Sequence, residues 1–304
     1  MEYRYIGSSD LKVSEVGFGA WQAGRIGWGT DYTDSEVKEA LSFALDSGVN
    51  FIDTAEMYGK GHSESVVGEV LRNYDRSKVI IATKVNPPHL GKKDLISSAH
   101  NSIERMKCSY IDLYQIHWPD FNVPIKETAD ALESLVSDGL VRYIGTCNFP
   151  LPQLKELVHT LDRNSVVSNQ MRYNILQREV EEELVPYMKS ENIGMIAWSP
   201  IAKGLLTGKY NEDNIPGDDV RKRDRLFTRE IITRIAPLME ALKRIAGSHE
   251  KTVTQVSLNY LLTKGALVIP GIKRKEQMAE NMGASGFTLT GPEIKEIDSL
   301  SEIS

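Results

Sequence analysis

Short apolar segments alternate with longer amphipathic segments along most of the chain. The short segments are rich in β-branched and aromatic residues, which favours strands, and each is followed by a polar turn and a helical periodicity. Most of them begin roughly 30 residues apart, the length of one strand–helix unit. The interval before the last segment is much longer, which predicts an insertion. The eight predicted strands begin near Glu15, Val49, Val79, Ile111, Val141, Val166, Ile193 and Ala266.

The segments between the strands have the ends and faces of helices. Thr33 and Glu36 form a capping-box sequence, apolar residues then recur at helical spacing, and Gly48 follows as a stop. Eight such units of even length favour an α/β fold with a closed (β/α)8 TIM barrel, as a single domain over residues 1–304. A doubly wound open sheet is the alternative, although no GxGxxG sequence follows any predicted strand.

Three segments lie outside this repeat. Residues 3–14 carry Gly-Ser-Ser-Asp between two short runs, which predicts an N-terminal β-hairpin covering one end of the barrel. Residues 202–227 are rich in Gly, Asp, Lys and Arg and lack apolar periodicity, which predicts a long functional loop. Residues 292–300 predict an extra C-terminal helix.

Composition and charge narrow the function classes. Hydrophobic residues make up 41% of the chain, and no apolar run has the roughly 20 residues that a membrane helix needs. The net charge of −6 disfavours a nucleic-acid partner. Cys108 and Cys147 lie too far apart in sequence for a zinc ribbon and are too few for a disulfide framework. We therefore expect a cytoplasmic protein with no membrane partner and no metal, and leave a homo-oligomer open.

Four polar residues near the predicted strand ends carry acid–base chemistry. Asp53, Lys84 and His117 end three successive strands, and Tyr58 follows Asp53 closely, so a barrel would bring them to one mouth. An ammonium group lowers the pKa of a nearby phenol, and a carboxylate would keep that ammonium charged. The set suits proton transfer to a carbonyl oxygen. The alternatives are a structural Asp53–Lys84 ion pair and a buried histidine with all its hydrogen bonds made.

Five motifs together resemble those of the aldo-keto reductases. Residues 53–59 (DTAEMYG) resemble that family's DTAxxYG element, and residues 17–21 (GFGAW) its first-strand motif. Residues 145–149 (GTCNF), 198–200 (WSP) with 204–210 (GLLTGKY), and 269–271 (IPG) with 280–281 (EN) resemble its later elements. The resemblance covers residues 1–300 and is nearer to bacterial reductases and potassium-channel β-subunits than to mammalian aldose reductases.

The resemblance implies an oxidoreductase that reversibly reduces aldehydes and ketones to alcohols with NADPH. Tyr58 would be the general acid, Lys84 would lower its pKa, Asp53 would anchor Lys84, and His117 would orient the substrate. Asn148 and Gln170 would hold the nicotinamide carboxamide and Trp198 would stack on the ring, although a tryptophan at a strand end is also a common core residue. The implied cofactor-binding residues are Ala20, Trp21, Asp53, Asn148, Gln170, Trp198, Ser199, Pro200, Ile201, Lys203, Gly204, Leu205, Lys209, Gly271, Lys273, Arg274, Gln277, Glu280 and Asn281. The implied substrate-binding residues are Trp21, Met57, Tyr58, His117 and Trp118.

The preference for NADPH over NADH depends on three cations, Lys273, Arg274 and Lys275, at the start of a predicted helix. A 2′-phosphate needs such groups, and cations at a helix N-terminus otherwise oppose the macrodipole. No acidic residue precedes Glu276 in this turn. Positive charge in the long loop, from Lys209, Arg221, Arg223 and Arg225, is a second source of phosphate contacts or simply a solvated face.

Two other functions remain open from the sequence. The barrel could hold a nicotinamide as a redox sensor and dock on a partner, as channel β-subunits do, with slow turnover. Alternatively, Lys84 could form a Schiff base in a barrel aldolase. Trp21, Trp28, Met57, Trp118 and Phe121 predict an aromatic-lined mouth. Because such a lining accepts many carbonyl compounds, the sequence does not identify the physiological substrate.

Overall fold

The computed structural model describes residues 1–302, apart from the side chain of Asp219; residues 303 and 304 of the expected domain lie outside the described residues. The strands are β1 (Tyr3–Tyr5), β2 (Lys12–Ser14), β3 (Phe18–Gly19), β4 (Phe51–Asp53), β5 (Ile80–Val85), β6 (Ile111–Ile116), β7 (Val141–Cys147), β8 (Val166–Arg172), β9 (Gly194–Trp198) and β10 (Leu267–Val268). The α-helices are α1 (Asp34–Asp46), α2 (His62–Leu71), α3 (Lys92–Met106), α4 (Ile125–Ser137), α5 (Leu151–Thr160), α6 (Leu184–Ser190), α7 (Asp219–Lys222), α8 (Arg229–Arg234), α9 (Ala236–Ser248), α10 (Val253–Thr263), α11 (Lys275–Met282) and α12 (Gly291–Leu300).

Strands β3 to β10 form one parallel eight-stranded sheet in chain order, and its two edges meet. The backbone N–H of Gly17 donates to the carbonyl of Val268 at 2.8 Å, and that of Gly19 donates to Pro270 at 3.1 Å. Parallel bridges join Val16 to Val268 and Gly19 to Gly271. The predicted (β/α)8 barrel is therefore confirmed, and the open doubly wound alternative is wrong because an open sheet leaves these edges unpaired.

The predicted N-terminal hairpin is present and covers the end of the barrel where the strands begin. β1 and β2 pair antiparallel, with Tyr3 opposite Ser14. Ile6 and Leu11 are buried in the same cluster as apolar residues of the barrel strands. The turn at Gly7 lies against the starts of β8 and β9, close to the carbonyl oxygen of Val167. With this end filled, the opposite end is left for a binding site.

The helices confirm two predictions and correct one. α1 begins at the predicted capping box, where the Thr33 side chain accepts from the backbone of Glu36 and the Glu36 carboxylate accepts from the backbone of Thr33. α12 is the predicted extra helix. Residues 202–227 are not a plain loop, since they contain 3-10 turns at Ala202–Thr207 and Arg225–Phe227. The turns were missed because they bury apolar side chains, such as Leu205 and Leu206, that do not recur at helical spacing in the sequence.

Candidate active site

A cavity of about 400 Å³ opens at the ends of the barrel strands, opposite the hairpin. One part is bounded by aromatic side chains around Tyr58 and His117. The other part extends beneath the segment after β9 to Glu280 and Asn281 in α11. The site is therefore an elongated cleft with an aromatic end and a polar, charged end.

Tyr58 lies at the aromatic end and receives a hydrogen bond from a buried lysine. The Lys84 ammonium donates to the Tyr58 hydroxyl at 3.2 Å, to Asp53 Oδ1 at 2.6 Å and to the carbonyl oxygen of Thr54 at 2.8 Å. All three of its protons are thus used, and the Lys84 side chain is 0% exposed. β4 and β5 are neighbours in the sheet, which brings the Asp53 carboxylate within hydrogen-bond distance of Lys84, and Lys84 in turn reaches Tyr58.

Burial and charge act in opposite directions on these two groups. Burial raises the pKa of Tyr58 to about 12, because it disfavours the phenolate more than the Lys84 ammonium stabilises it. Burial lowers the pKa of Lys84, but the Asp53 carboxylate and Tyr58 raise it more, and the net pKa lies above its usual value. The sequence-based expectation was a lowered Tyr58 pKa. Lys84 does lower it, but burial has the larger effect.

His117 follows β6 and its ring faces Tyr58 edge-on, with centroids 5.7 Å apart. The ring also stacks on Trp118 at 3.8 Å. Burial and the Lys84 charge lower the pKa of His117 to about 2, so the imidazole is neutral at pH 7. Among the residues described, the buried Nδ1 atom has no hydrogen-bond partner. This is not a histidine with all its hydrogen bonds made, and the residue also borders the cavity.

Three side chains with amide or indole groups lie next to Asp53, Tyr58, Lys84 and His117. Asn148 takes a left-handed backbone conformation (φ 57°), donates from Nδ2 to the carbonyl oxygen of His117 at 3.1 Å, and accepts from Trp198 Nε1 at 3.0 Å. Gln170 lies deeper and donates to Asp53 Oδ2 at 2.7 Å. Trp198 borders the cavity, and the Arg172 guanidinium lies 4.5 Å from the centroid of its ring. Trp198 is therefore not a plain core residue.

Two of the three cations at the start of α11, Lys273 and Arg274, have acidic partners from another part of the chain, so their charge is balanced without a phosphate. The Lys273 ammonium donates to the carbonyl oxygen of Trp28 at 2.6 Å and to Asp31 at 3.1 Å. Arg274 pairs with Glu36 at 3.1 Å and with Asp31. Asp31 lies between β3 and α1 and Glu36 lies in the first turn of α1, so both acids are far from α11 in sequence. Lys273 borders the cavity, whereas Arg274 does not.

Comparison with known proteins decides the family. The Aldo/keto reductase family matches residues 15–302. The chain belongs to the aldo-keto reductase family. It is 33% identical to the aldo-keto reductase YhdN of Bacillus subtilis, over 99% of this chain and 94% of that protein. It is also 33% identical to a probable voltage-gated potassium channel β-subunit of Arabidopsis thaliana, over 93% of this chain and 91% of that protein.

Solved structures agree with this assignment. A thermostable aldo-keto reductase in complex with the inhibitor epalrestat is 31% identical, with a TM-score of 0.85 over 99% of this chain and 100% of that chain. An aldo-keto reductase from Klebsiella pneumoniae, solved in complex with NADPH, is 28% identical, with a TM-score of 0.82 over 99% of this chain and 95% of that chain.

Most of the catalytic, cofactor-binding and substrate-binding residues implied by the resemblance border the cavity of this aldo-keto reductase, and four of that set do not. Lys84 is fully buried and donates a hydrogen bond to Tyr58, which does border the cavity. Ala20 and Leu205 are buried in the core, and Arg274 is directed towards Glu36. The predicted residues that border the cavity are Trp21, Asp53, Met57, Tyr58, His117, Trp118, Asn148, Gln170, Trp198, Ser199, Pro200, Ile201, Lys203, Gly204, Lys209, Gly271, Lys273, Gln277, Glu280 and Asn281.

The expected aromatic mouth is present in part. Trp21 packs edge-on against Trp28, with centroids 5.0 Å apart, and stacks beside Tyr58. Phe121 was expected there too, but its side chain is 79% exposed and borders a separate, smaller cavity, because the segment after β6 carries it away from Tyr58. Of the loop arginines, Arg221 borders the main cavity, whereas Arg223 and Arg225 do not.

Several cavity residues were missed by the sequence analysis. Gln22, Arg172 and Thr254 border the cavity, yet none belongs to a motif that suggested a site. Tyr210 borders it too and ends the GLLTGKY motif, but it was not singled out. Gln115 was also missed, although a glutamine inside the apolar strand IDLYQI was a visible anomaly. Within residues 1–302, the structure brings together no cluster of three His, Cys, Asp or Glu side chains suited to a metal ion. No helix in that range is long and apolar enough to cross a membrane.

Proposed function

We propose that this protein is an NADPH-dependent carbonyl reductase that converts aldehydes and ketones to alcohols, with Tyr58 as the general acid. The observation that carries the proposal is the hydrogen bond of 3.2 Å from the Lys84 ammonium to the Tyr58 hydroxyl, at the inner end of an aromatic-lined cleft. Asp53 supports the pair by holding Lys84 at 2.6 Å. A carbonyl reductase needs a proton donor of this kind beside its substrate.

The residues suit a cofactor that donates a hydride. The cavity extends far beyond Tyr58, which leaves room for a second, longer molecule besides a small carbonyl compound. Asn148, Gln170 and Trp198 offer amide groups and a flat ring at the junction of the two parts, and Lys273 lies near the far end. When bound, the nicotinamide supplies a hydride to the carbonyl carbon of the substrate.

Residues of the protein then supply the proton that the carbonyl oxygen needs. His117, neutral at pH 7, borders the cavity beside Tyr58 and holds the carbonyl oxygen there through its imidazole ring. Tyr58, with a pKa raised to about 12, keeps its proton at pH 7 and gives it to that oxygen. The phenolate left behind is stabilised by the Lys84 ammonium. The aromatic side chains around Tyr58 exclude water while this happens.

The preference for NADPH is supported by Lys273 rather than by three free cations. Its ammonium borders the polar end of the cavity, near Gln277 and Asn281. A 2′-phosphate bound there would gain a charge-assisted hydrogen bond from Lys273. Asp31 already partners this lysine, so the phosphate would share the cation with a carboxylate.

A regulatory nicotinamide-binding subunit is the second candidate, favoured by the similarity to the Arabidopsis thaliana channel β-subunit. The two functions differ in turnover. We expect continued NADPH consumption over many enzyme equivalents with an aldehyde such as 4-nitrobenzaldehyde. Consumption of about one equivalent followed by a halt would instead support the sensor.

The aldolase alternative is not supported by the surroundings of Lys84. A Schiff base forms on an unprotonated amine that reaches the substrate. The Lys84 amine is fully buried, has a raised pKa and donates all three protons to neighbouring oxygens.

A further inference from the structure

Gln115 lies in β6, two residues before His117, and has no assigned role. Its side chain is 0% exposed and does not border the cavity, so it touches neither a substrate nor a cofactor. A buried glutamine amide is costly unless its polar atoms are bonded. Its partners therefore indicate what the residue does.

Both partners of Gln115 belong to the candidate active site. Its Nε2 donates to Asp53 Oδ2 at 3.1 Å, and its Oε1 accepts from Gln170 Nε2 at 3.2 Å. Gln170 Nε2 also donates to Asp53 Oδ2. Asp53 Oδ1 is left for Lys84, so the carboxylate has a separate oxygen for the lysine and for the two amides.

This arrangement fixes the amide orientation of Gln170. A carboxylate only accepts hydrogen bonds, so Gln170 must turn its Nε2 towards Asp53, and the same nitrogen is held by Gln115 Oε1. The oxygen of Gln170 then faces the other way and accepts a hydrogen bond from the Cys147 thiol at 3.6 Å. Cys147 and Gln170 both border the cavity, so the amide atom of Gln170 that remains for a ligand there is an acceptor.

The neighbouring strand is shaped to accommodate Gln115. Gly145 in β7 is its partner in the sheet register. A Cβ atom at Gly145 would lie 2.7 Å from Ser168 Oγ and 3.0 Å from both Gln115 Cγ and Leu113 Cδ1. A larger residue at position 145 would push against the stem of the glutamine.

From these contacts we infer that Gln115 is a positioning residue for the proposed reduction. It holds one oxygen of Asp53 so that the other serves Lys84, and it turns the Gln170 oxygen towards the cofactor carboxamide. It thus acts on proton transfer and on cofactor binding without touching either ligand. The inference rests on the proposed function.

Gln115→Met tests the inference, because methionine keeps the length of the side chain and removes both hydrogen bonds. Leu113→Met is the matched control, since Leu113 is an equally buried position of β6 on the same side of the strand and outside the network. We expect Gln115→Met to lower kcat about tenfold and to weaken NADPH binding, followed by tryptophan fluorescence, severalfold. The control should change both by less than about twofold.

Gln115→Glu distinguishes a positioning role of Gln115 from a merely structural one. The introduced carboxyl group sits beside Asp53, and two adjacent carboxyl groups share a proton, so it donates to Asp53 only when protonated. We expect the ratio of variant to wild-type kcat to rise towards one as the pH falls from 8 to about 5. This variant also serves if Gln115→Met does not fold.

Wild-type kcat and NADPH affinity in folded Gln115→Met would overturn the inference, as would a ratio for Gln115→Glu that stays far below one at every pH from 8 to 5. If wild-type protein binds NADPH but reduces no aldehyde, the proposed function fails on its own. The effect of Gln115→Met on NADPH affinity then still decides whether the residue orients Gln170. Wild-type protein that does not bind NADPH at all would refute both.

Discussion

Individual charged side chains in this site differ in how their charge is balanced. Lys84 has every proton on an oxygen and cannot leave its place. Lys273 also has two acceptors, but it borders the cavity and one acceptor is the half-exposed Asp31 carboxylate. Because the Asp31 carboxylate stays hydrated, it is a weak partner, and Lys273 can exchange it for a more highly charged anion.

Replacing Lys273 with methionine should therefore act on cofactor choice. We expect Lys273→Met to weaken NADPH binding about tenfold, the size of one lost charge-assisted hydrogen bond, and to leave NADH binding almost unchanged. Fluorescence titration with each cofactor measures the effect. Arg274→Met is the matched control and should have little effect, because Arg274 does not border the cavity. Equal losses for both cofactors with Lys273→Met would contradict the assignment.

The sequence predicted the positions of those site residues that lie at the ends of strands. Asp53, Lys84 and His117 could be placed together because parallel strands finish at the same end of a barrel. The partners of Arg274 could not be predicted, since Glu36 lies 238 positions earlier and only barrel closure brings the two together. The raised pKa of Tyr58 was missed for a similar reason, because burial depends on the whole fold.

At the scale of elements, the seam between β3 and β10 completes the barrel and shapes the inner wall of the cleft. Both strands are only two residues long. The backbone of Gly19 lies so close to the next segment that a Cβ atom there would be 2.7 Å from the carbonyl oxygen of Ile269 and 2.8 Å from that of Pro270. Backbone atoms on both sides leave no room for adjustment.

Gly19→Ala should therefore destabilise the protein. We expect the free energy of unfolding in urea to fall by about 1–3 kcal/mol, the usual cost of overpacking. Gly217→Ala is the control, because a Cβ atom at Gly217 meets no atom within 4 Å. An unchanged unfolding midpoint for Gly19→Ala would show that the seam can open to admit a methyl group.

Elements with a regular period were predicted well, and the insertion was not. All eight barrel strands and the hairpin follow from apolar runs and turn residues, because those patterns are local. Residues 202–227 form short turns whose burial depends on contacts with α10, such as the hydrogen bond from Ser257 to the carbonyl of Leu206. Such contacts leave no periodic pattern in the sequence of the segment, so the turns could not be predicted from it.

At the scale of the whole molecule, the buried His117 links the site to the stability of the fold. Its pKa is about 2 in the folded protein and 6.5 as a free side chain. Below pH 6.5 the unfolded chain therefore binds a proton that the folded protein does not, and the free energy of unfolding decreases as the pH falls. The loss amounts to about 1.4 kcal/mol for each pH unit below 6.5.

His117→Gln should remove this dependence. Between pH 7 and pH 5, we expect the wild type to lose about 2 kcal/mol more of its unfolding free energy than the variant does. Urea unfolding at the two pH values measures the difference. His100→Gln, at an exposed position of α3, serves as the control and should follow the wild type. Parallel losses in wild type and His117→Gln would mean that His117 titrates normally in the folded protein.

The proton-donor role of Tyr58 is tested most directly by Tyr58→Phe, which removes the hydroxyl group and keeps the ring beside Trp21 and His117. The decisive measurement compares kcat for aldehyde reduction with the dissociation constant for NADPH in wild type and variant. We predict that kcat falls at least ~100-fold while the dissociation constant changes by less than about twofold. A variant that keeps most of its kcat would contradict the account, because no other group in the described cavity is placed to protonate the carbonyl oxygen with support from Lys84.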